Sequence, residues 1–413
     1  MVKVRNLTRC RACQSRRLYQ FLDLGEMPIP NGFLKKEELK KPEEKFELAV
    51  FYCRNCGFVQ LTVVVNPIIM FKNYVYIPST AKVMMNNFTN LAYTAVQEVG
   101  AGEKSLVIDI GSNDGSLLTF FKSYGVKVLG IDPAENLAKI AIMNGIPTEC
   151  KLFSLKTAAE VKKKYGKADI ITATNVIAHI DNLHEVLGGV SKLLSDDGVF
   201  ITEFPYLLDL VRKTEFDTIY HEHLSYISVK PWRKLIERFG LEIVSAQRLL
   251  IHGGSIRITH RKKSGSKKIP DTIKYLESLE EHFGLYKEKT YDNFSLKVEL
   301  LRNELVSTLK EYKKQGKRIV GYGAAAKGNV LTNCFGIGKN MLDYIVDSTP
   351  YKQGLFTPGM HIPVYPERKL LEDKPDFALI LAWNFADEII EKQKAFHRGG
   401  GRFIIPIPKV RVV

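Results

Sequence analysis

The sequence predicts an α/β protein with two units of parallel sheet flanked by helices, preceded by a small metal-held module. Three observations predict it. Leu106-Val107-Ile108-Asp109-Ile110 is an apolar run that turns through Gly111 and Gly115 into an amphipathic helical pattern. The same grammar of apolar run, glycine turn and helix recurs at Arg318-Ile319-Val320-Gly321-Tyr322-Gly323. Ahead of both, four of the six cysteines stand as two C-x-x-C pairs, Cys10/Cys13 and Cys53/Cys56.

The cysteines come first in the chain. Four thiolates suit a closed tetrahedral Zn2+ site, and with no ligand position left open for water the role expected is structural. A redox dithiol is the alternative. The intervening segment holds Gly25, Pro28, Pro30, Asn31, Gly32 and Pro42, and it is longer than a compact ribbon needs, so it forms an excursion of its own. Cys150 and Cys334 stand alone in α/β segments and are expected to be buried thiols. A stretch carrying Tyr74 and Tyr76 then leads to a helix near 84–99. Tyrosines beside Pro78 pack a domain junction or line a pocket at one.

After the first glycine turn, Val126-Lys127-Val128-Leu129-Gly130-Ile131 is a second apolar run, and Asp132 ends it where a carboxylate can accept from ribose hydroxyls. The turn reads D-x-G-x-x-x-G, from Asp109 through Gly111 and Asn113 to Gly115, rather than the dinucleotide G-x-G-x-x-G. It resembles the S-adenosylmethionine loop of class I (Rossmann-like) methyltransferases. The resemblance implies Asp109, Gly111, Asn113, Gly115 and Asp132 as cofactor-binding residues, the glycines at the methionine end and Asp132 on the ribose.

The pattern continues with a helix near 135–144, a short strand near 147–149 and a helix at Leu155–Tyr165. A strand at 169–174 runs into Asn175 and His179 at the carboxyl edge, where open sheets bind ligands. A further strand at 198–204 leads to Tyr220-His221-Glu222-His223. So many polar side chains in succession cannot all face a core unpaired, so this is a solvated turn or a site. It lacks H-E-x-x-H spacing and is not a zincin. In a strand, Tyr220 and Glu222 would share one face and the two histidines the other; in a loop no such rule holds. Strands near 241–248 and 255–260 complete a class I sheet.

A linker at 264–270 precedes helix over 271–314, interrupted near Gly284, Asp292 and Asn293. The second unit has further strands at 341–346, ending at Asp347, at 376–381 and at 403–406, with a helix near 385–396. Its third glycine is misplaced for an ordinary dinucleotide site, which leaves NAD as a lesser alternative. Lys327 beside the turn favours a phosphate group, and a lid with no ligand of its own is the plainer alternative. The expected domains are 1–79 (metal module and connector), 80–263 (methyltransferase) and 264–413 (helical linker and Rossmann-like unit).

Lys+Arg of 60 against Asp+Glu of 45 gives a net charge of +15, which favours anionic partners without choosing among them. The lysines are scattered over helical faces and no basic stripe interleaves with aromatics, which argues against nucleic acid. No apolar run is long enough to span a bilayer, and Met1-Val2-Lys3-Val4-Arg5 lacks a following apolar core, so a cytoplasmic protein is expected.

Taken together, the paired cysteines, the Asp109 loop, Tyr220-His221-Glu222-His223 and Gly321-Tyr322-Gly323-Ala324-Ala325-Ala326-Lys327-Gly328-Asn329 resemble the S-adenosylmethionine-dependent C-methyltransferases of nucleotide-linked 4-keto deoxysugars. The resemblance implies a zinc-binding N-terminal module, a central cofactor domain and a Rossmann-like C-terminal domain that helps hold the nucleotide sugar. It implies His223 as general base, Tyr220 and Glu222 as its partners, His179 as an enolate- or sugar-binding group and Tyr76 as a closing residue. Substrate contacts fall to Tyr74, His221, Gly323, Lys327 and Asn329. Methylation at oxygen or nitrogen of another small anion, or a zinc-bearing RNA methyltransferase, are the competing expectations.

Overall fold

Seven strands form the central sheet of the computed structural model, which describes residues 3–71, 82–251, 253–264 and 269–413. They are β1 (Leu106–Ile110), β2 (Lys127–Ile131), β3 (Thr148–Glu149), β4 (Ala168–Thr174), β5 (Leu194–Pro205), β6 (Leu241–Leu249) and β7 (Ser255–Lys262). The order across the sheet is β6-β7-β5-β4-β1-β2-β3, with β7 antiparallel to both neighbours and all other pairs parallel. β1 is buried along its length because helices cover both faces, and Val107, Ile108 and Ile110 supply its apolar residues beside the one carboxylate of Asp109. Strand order reverses between β1 and β4, which opens a crevice at their carboxyl ends.

The second unit repeats the theme. β8 (Ile319–Tyr322), β9 (Ile345–Asp347), β10 (Val364–Pro366), β11 (Phe377–Ile380), β12 (Arg402–Ile405) and β13 (Arg411–Val412) lie in the order β10-β9-β8-β11-β12-β13, parallel except for the last pair. Gly323 leaves β8 at φ +91°, and a Cβ there would lie 2.8 Å from that of Ala382, so only glycine closes this turn.

The N-terminal module is a sheet of Leu18–Met27, Phe46–Cys53 and Val59–Leu61, extended at one edge by Ser225–Tyr226. Ser225 pairs with Gln60 and Tyr226 with Val59. The chain just after His223 is therefore a strand of the metal module. This pairing joins residues 165 apart by backbone hydrogen bonds, so the module shares one sheet with the chain that follows His223.

Several expectations are corrected. The long helix breaks only at 284–287, between Asp271–Phe283 and Glu288–Lys314, where Gly284 caps in the left-handed region. Asp292 and Asn293 lie inside the second helix, exposed in its first two turns, where their weak helix propensity costs little. The strand expected over 341–346 shortens to β9, and the last helix divides at Gln393 into Ala386–Lys392 and Lys394–Arg398. Cys150 is exposed, because it follows the two-residue edge strand β3, and Cys334 is only partly buried. No helix among the described residues is long and apolar enough to cross a membrane.

Candidate active site

The crevice at the carboxyl ends of β1, β2 and β4 is a cavity of about 370 Å³, within the range of small-molecule sites. Gly111, Ser112, Asn113, Asp132, Leu152 and His179 are among the residues that line it. Gly111 has φ +71°, and a Cβ on it would lie 2.6 Å from Val176, so the backbone lies bare against the crevice.

Asp132 is less available than its position at the end of β2 implies. One carboxylate oxygen accepts from the Asn113 amide and the other from Ala134, both at 2.8 Å, so it braces the loop while its remaining lone pairs face the cavity. Burial raises its pKa. Ser112 Oγ is buried, lines the same cavity and has no hydrogen-bond partner among the described residues. An orphan hydroxyl, bare glycine backbone and a strand-end carboxylate fit the polar amino-acid and ribose ends of S-adenosylmethionine, and Leu152, Phe153 and Val186 supply the apolar wall that a base requires.

Asp109 stands apart from the other expected cofactor residues. It is buried behind the cavity and accepts a 2.6 Å bond from Thr172 Oγ1. Burial pushes its pKa up to about 7, the Thr172 hydroxyl pulls it down and the charge of Asp132 raises it. Its place is in the sheet, tying β1 to β4.

His179 lines the cavity, and burial lowers its pKa to about 4, so the ring is neutral near pH 7. The His223 ring meets it edge-on at 4.9 Å, and Tyr220 lies over His223 at 3.9 Å. His223 Nδ1 is 2.8 Å from the Thr218 carbonyl. A carbonyl only accepts, so Nδ1 carries the proton and Nε2 is left as the basic nitrogen. Glu222 is buried and accepts from Asn31 of the metal module at 2.7 Å. Of the expected cluster, the rings of His179, Tyr220 and His223 are in contact, and Glu222 bonds to Asn31. Tyr74 and Tyr76 lie outside the described residues.

His221 is a correction. The segment is a turn, so strict alternation does not hold, and His221 points away from the other three. It is fully buried, with Nε2 3.1 Å from the Phe46 carbonyl and the ring against Phe46, and burial lowers its pKa to about 4. It packs the module interface.

The second glycine turn also differs in detail. Asn329 donates to the Pro30 carbonyl at 2.7 Å, and its own oxygen is buried without a partner among the described residues. Lys327 stands 4.9 Å over the Trp383 ring and faces Asp217 and Glu215, whose pKa values burial raises to about 6 and about 7. Trp383 donates to Asp217 at 2.6 Å. Asp217 immediately precedes Thr218, which orients His223, so the C-terminal unit reaches the segment that carries His223. The cation at the glycine turn itself is Lys352, which donates to the Ala324 carbonyl at 2.9 Å.

The four cysteine sulfurs lie within 4.8 Å of one another, with Cys10–Cys56 and Cys13–Cys53 at 3.6 Å. A tetrahedral Zn–S bond of about 2.3 Å places sulfurs about 3.8 Å apart, so the set fits zinc. Between the first two cysteines sits Arg11, fully buried, which the sequence reading passed over. Its guanidinium donates to the Leu224 carbonyl at 2.7 Å, to Leu61 at 3.1 Å and to Asp181 at 3.3 Å. The Leu224 amide in turn donates to the Ala178 carbonyl at 2.7 Å. His223 and His179, one residue before and one after those groups, are held side by side by that bond. Charged residues inside metal knuckles are ordinarily solvated, so no sequence signal marked this one.

The fold and cavity define an S-adenosylmethionine-dependent methyltransferase with an added zinc module. Residues 88–246 match the family described as "Methyltransferase domain", residues 10–71 "Putative zinc binding domain" and residues 250–408 "C-methyltransferase C-terminal domain". The chain is 35% identical to C-methyltransferase NovU of Streptomyces niveus over 410 residues, 99% of this chain and 98% of that protein. It is also 27% identical, over 95 residues, to a ubiquinone biosynthesis O-methyltransferase of Rhodopseudomonas palustris (strain BisA53), covering 23% of this chain and 38% of that one. Magnesium protoporphyrin IX methyltransferase of Synechocystis PCC 6803, solved with bound SAH, shares 16% identity at a TM-score of 0.35, covering 46% of this chain and 90% of that one. The chain belongs to the S-adenosylmethionine-dependent C-methyltransferase family, with S-adenosylmethionine as cofactor and zinc in the N-terminal module.

Two outcomes follow. Metal analysis of the purified protein is expected to give one zinc per chain, and Cys53→Ser to abolish it; a metal-free protein with reactive thiols would restore the dithiol alternative. Asp109→Asn is expected to bind S-adenosylmethionine within a few-fold of wild type. Because the folded pKa of Asp109 is raised, the stability its neutral form contributes is present below about pH 4 and lost as pH climbs through about 7. Asparagine carries no such linkage, so chemical denaturation at pH 5 and pH 8 should show the variant gaining on wild type by about 2 to 3 kcal/mol.

Proposed function

We propose that the protein methylates the carbon beside the ketone of a nucleotide-linked 4-keto deoxysugar, with dTDP as the nucleotide. The observation that carries this reading is the His179–His223–Tyr220 stack beside the cofactor cavity, on a segment gripped by the C-terminal sheet. Carbon beside a ketone becomes nucleophilic only when its proton leaves, so the reaction needs a base and donors for the enolate oxygen. His223 removes that proton through Nε2, while the Thr218 carbonyl stabilises the imidazolium by accepting from Nδ1. Tyr220, stacked on His223, donates to the developing oxyanion, and Glu222 fixes the polar side of the turn. His179 packs edge-on against His223 and meets the sugar. Bound S-adenosylmethionine supplies an electrophilic methyl group.

The C-terminal sheet is proposed to hold the nucleotide end, with Gly323 giving bare backbone at the turn and Lys327 and Asn329 near the diphosphate. A substrate gripped at a distance from its reacting carbon lends binding energy to orientation. NovU, a C-methyltransferase of matching length, supports transfer to carbon.

His223→Ala is expected to keep S-adenosylmethionine affinity and to lower both methyl transfer and deuterium wash-in at the α-carbon by roughly a hundredfold or more. Wild-type exchange in that variant removes His223 as base, and methylation without α-exchange in the wild type returns the reaction to an oxygen or nitrogen acceptor. Lys327→Ala is expected to raise KM for the nucleotide sugar about tenfold or more with little change for S-adenosylmethionine. Unchanged nucleotide-sugar affinity by titration calorimetry would remove Lys327 from the substrate site.

A further inference from the structure

Glu222 is buried at the catalytic turn, and the donor aimed at it comes from the metal module. Asn31 Nδ2 donates to Glu222 Oε1 at 2.7 Å, across 191 residues of sequence. Asn31 belongs to the turn Pro28-Ile29-Pro30-Asn31-Gly32-Phe33-Leu34, closed by Gly32 N–H to the Ile29 carbonyl at 2.9 Å.

The C-terminal unit holds this turn in place. Pro30 accepts from Asn329 at 2.7 Å, and Leu34 and Phe356 exchange two backbone bonds of 2.9 Å. Further along the module, Glu43 accepts from the Gly359 amide at 3.0 Å and meets His361 at 2.5 Å. Lys352, at the second glycine turn, lies 5.6 Å over the Phe33 ring. A side chain whose backbone is pinned on both sides holds its partner at little cost in conformational entropy.

We infer that Asn31 is a positioning residue that orients the Glu222 carboxylate in the active site, and that the turn carrying it links this carboxylate to the nucleotide-binding C-terminal unit. The inference rests on the reaction proposed above. A turn anchored at Asn329 and Phe356 on one side and at Glu222 on the other moves with whatever seats the C-terminal sheet. Glu222 therefore reaches its working position when the three parts of the chain are docked.

Shape and donor strength make opposite predictions here. Asn31→Asp keeps the shape but turns the donor into a second carboxylate facing Glu222, whereas Asn31→Ala removes shape and donor together. A merely structural asparagine tolerates the isostere better than alanine. A residue that orients Glu222 tolerates it worse.

The experiment measures kcat, KM, α-deuterium exchange and S-adenosylmethionine affinity for the full-length zinc-loaded protein, with a dTDP-linked 4-keto-6-deoxysugar as probe. Asn31→Ala is expected to lower kcat and exchange about tenfold and Asn31→Asp about a hundredfold, with S-adenosylmethionine affinity and zinc content unchanged. An Asp variant as active as wild type, or one milder than Ala, overturns the inference. If Asn31→Asp does not fold, a kcat for Asn31→Ala within threefold of wild type does the same. Wild-type protein that catalyses no α-exchange rejects the underlying reaction instead, so the two failures are distinct.

Discussion

The arrangement depends on one buried cation. Arg11 sits within the first cysteine pair, and removing a guanidinium from water is costly unless its donors are all met. Here they are met by two carbonyls and the Asp181 carboxylate, and burial still lowers the pKa to about 9, which keeps the charge at neutral pH. Asp181 lines the cofactor cavity. The Leu224 carbonyl that Arg11 satisfies also accepts from the Leu61 amide of the module sheet. A single side chain therefore fixes the metal knuckle, the end of the turn over 220–223 and the rim of the cavity relative to one another. Zinc, by closing the knuckle around Arg11, holds that cation where its partners are.

The two glycine turns reach the same solution from different sequences. Asp132 at the end of β2 accepts from the amides of Asn113 and Ala134, and Asp347 at the end of β9 accepts from those of Ala324 and Thr349. In both sheets a tight turn leaves backbone N–H groups pointing inward, and a carboxylate at the neighbouring strand end satisfies them. The acid thus has a structural duty before any ligand arrives, which explains its place in a unit whatever the unit binds. What separates the two is the cation: Lys352 stands 4.0 Å from Asp347, whereas the first turn opens onto the apolar wall of the cavity.

Much of this was legible because it is local. The D-x-G-x-x-x-G turn, the alternation of strand and helix and the cysteine spacing express backbone geometry and ligand chemistry within short windows, and β1 to β4 lie within a residue or two of where those patterns place them. What escaped is nonlocal. The pairing of Ser225 with Gln60 joins segments whose patterns say nothing of each other, and it decides that the segment after His223 is a strand edge. His221 was indistinguishable in type from His223, and only the bend of the turn sends one against Phe46 and the other against His179. Arg11 and Asn31 were visible as residues, yet their partners lie 170 and 191 positions away. Asp109 keeps its place in the motif for a different reason from the one the motif names, since its bond is to Thr172.

The pair of histidines raises a question that proton affinity and geometry answer together. Either ring could serve as base by position, because both stand at the carboxyl edge and touch. A general base works best when its pKa lies near the working pH. Burial takes His179 to about 4, so in the proposed reaction it holds too little proton affinity to draw an α-proton at neutrality. His223 differs in having a carbonyl acceptor on Nδ1, which fixes the tautomer and leaves Nε2 as the basic nitrogen. In the proposed reaction the division of labour follows: the neutral ring shapes the site and the supported ring moves the proton. The carbonyl that supports it belongs to Thr218, next to Asp217 on Trp383 of the C-terminal unit. The orientation of His223 is therefore tied to the docking of that unit against the segment that carries it.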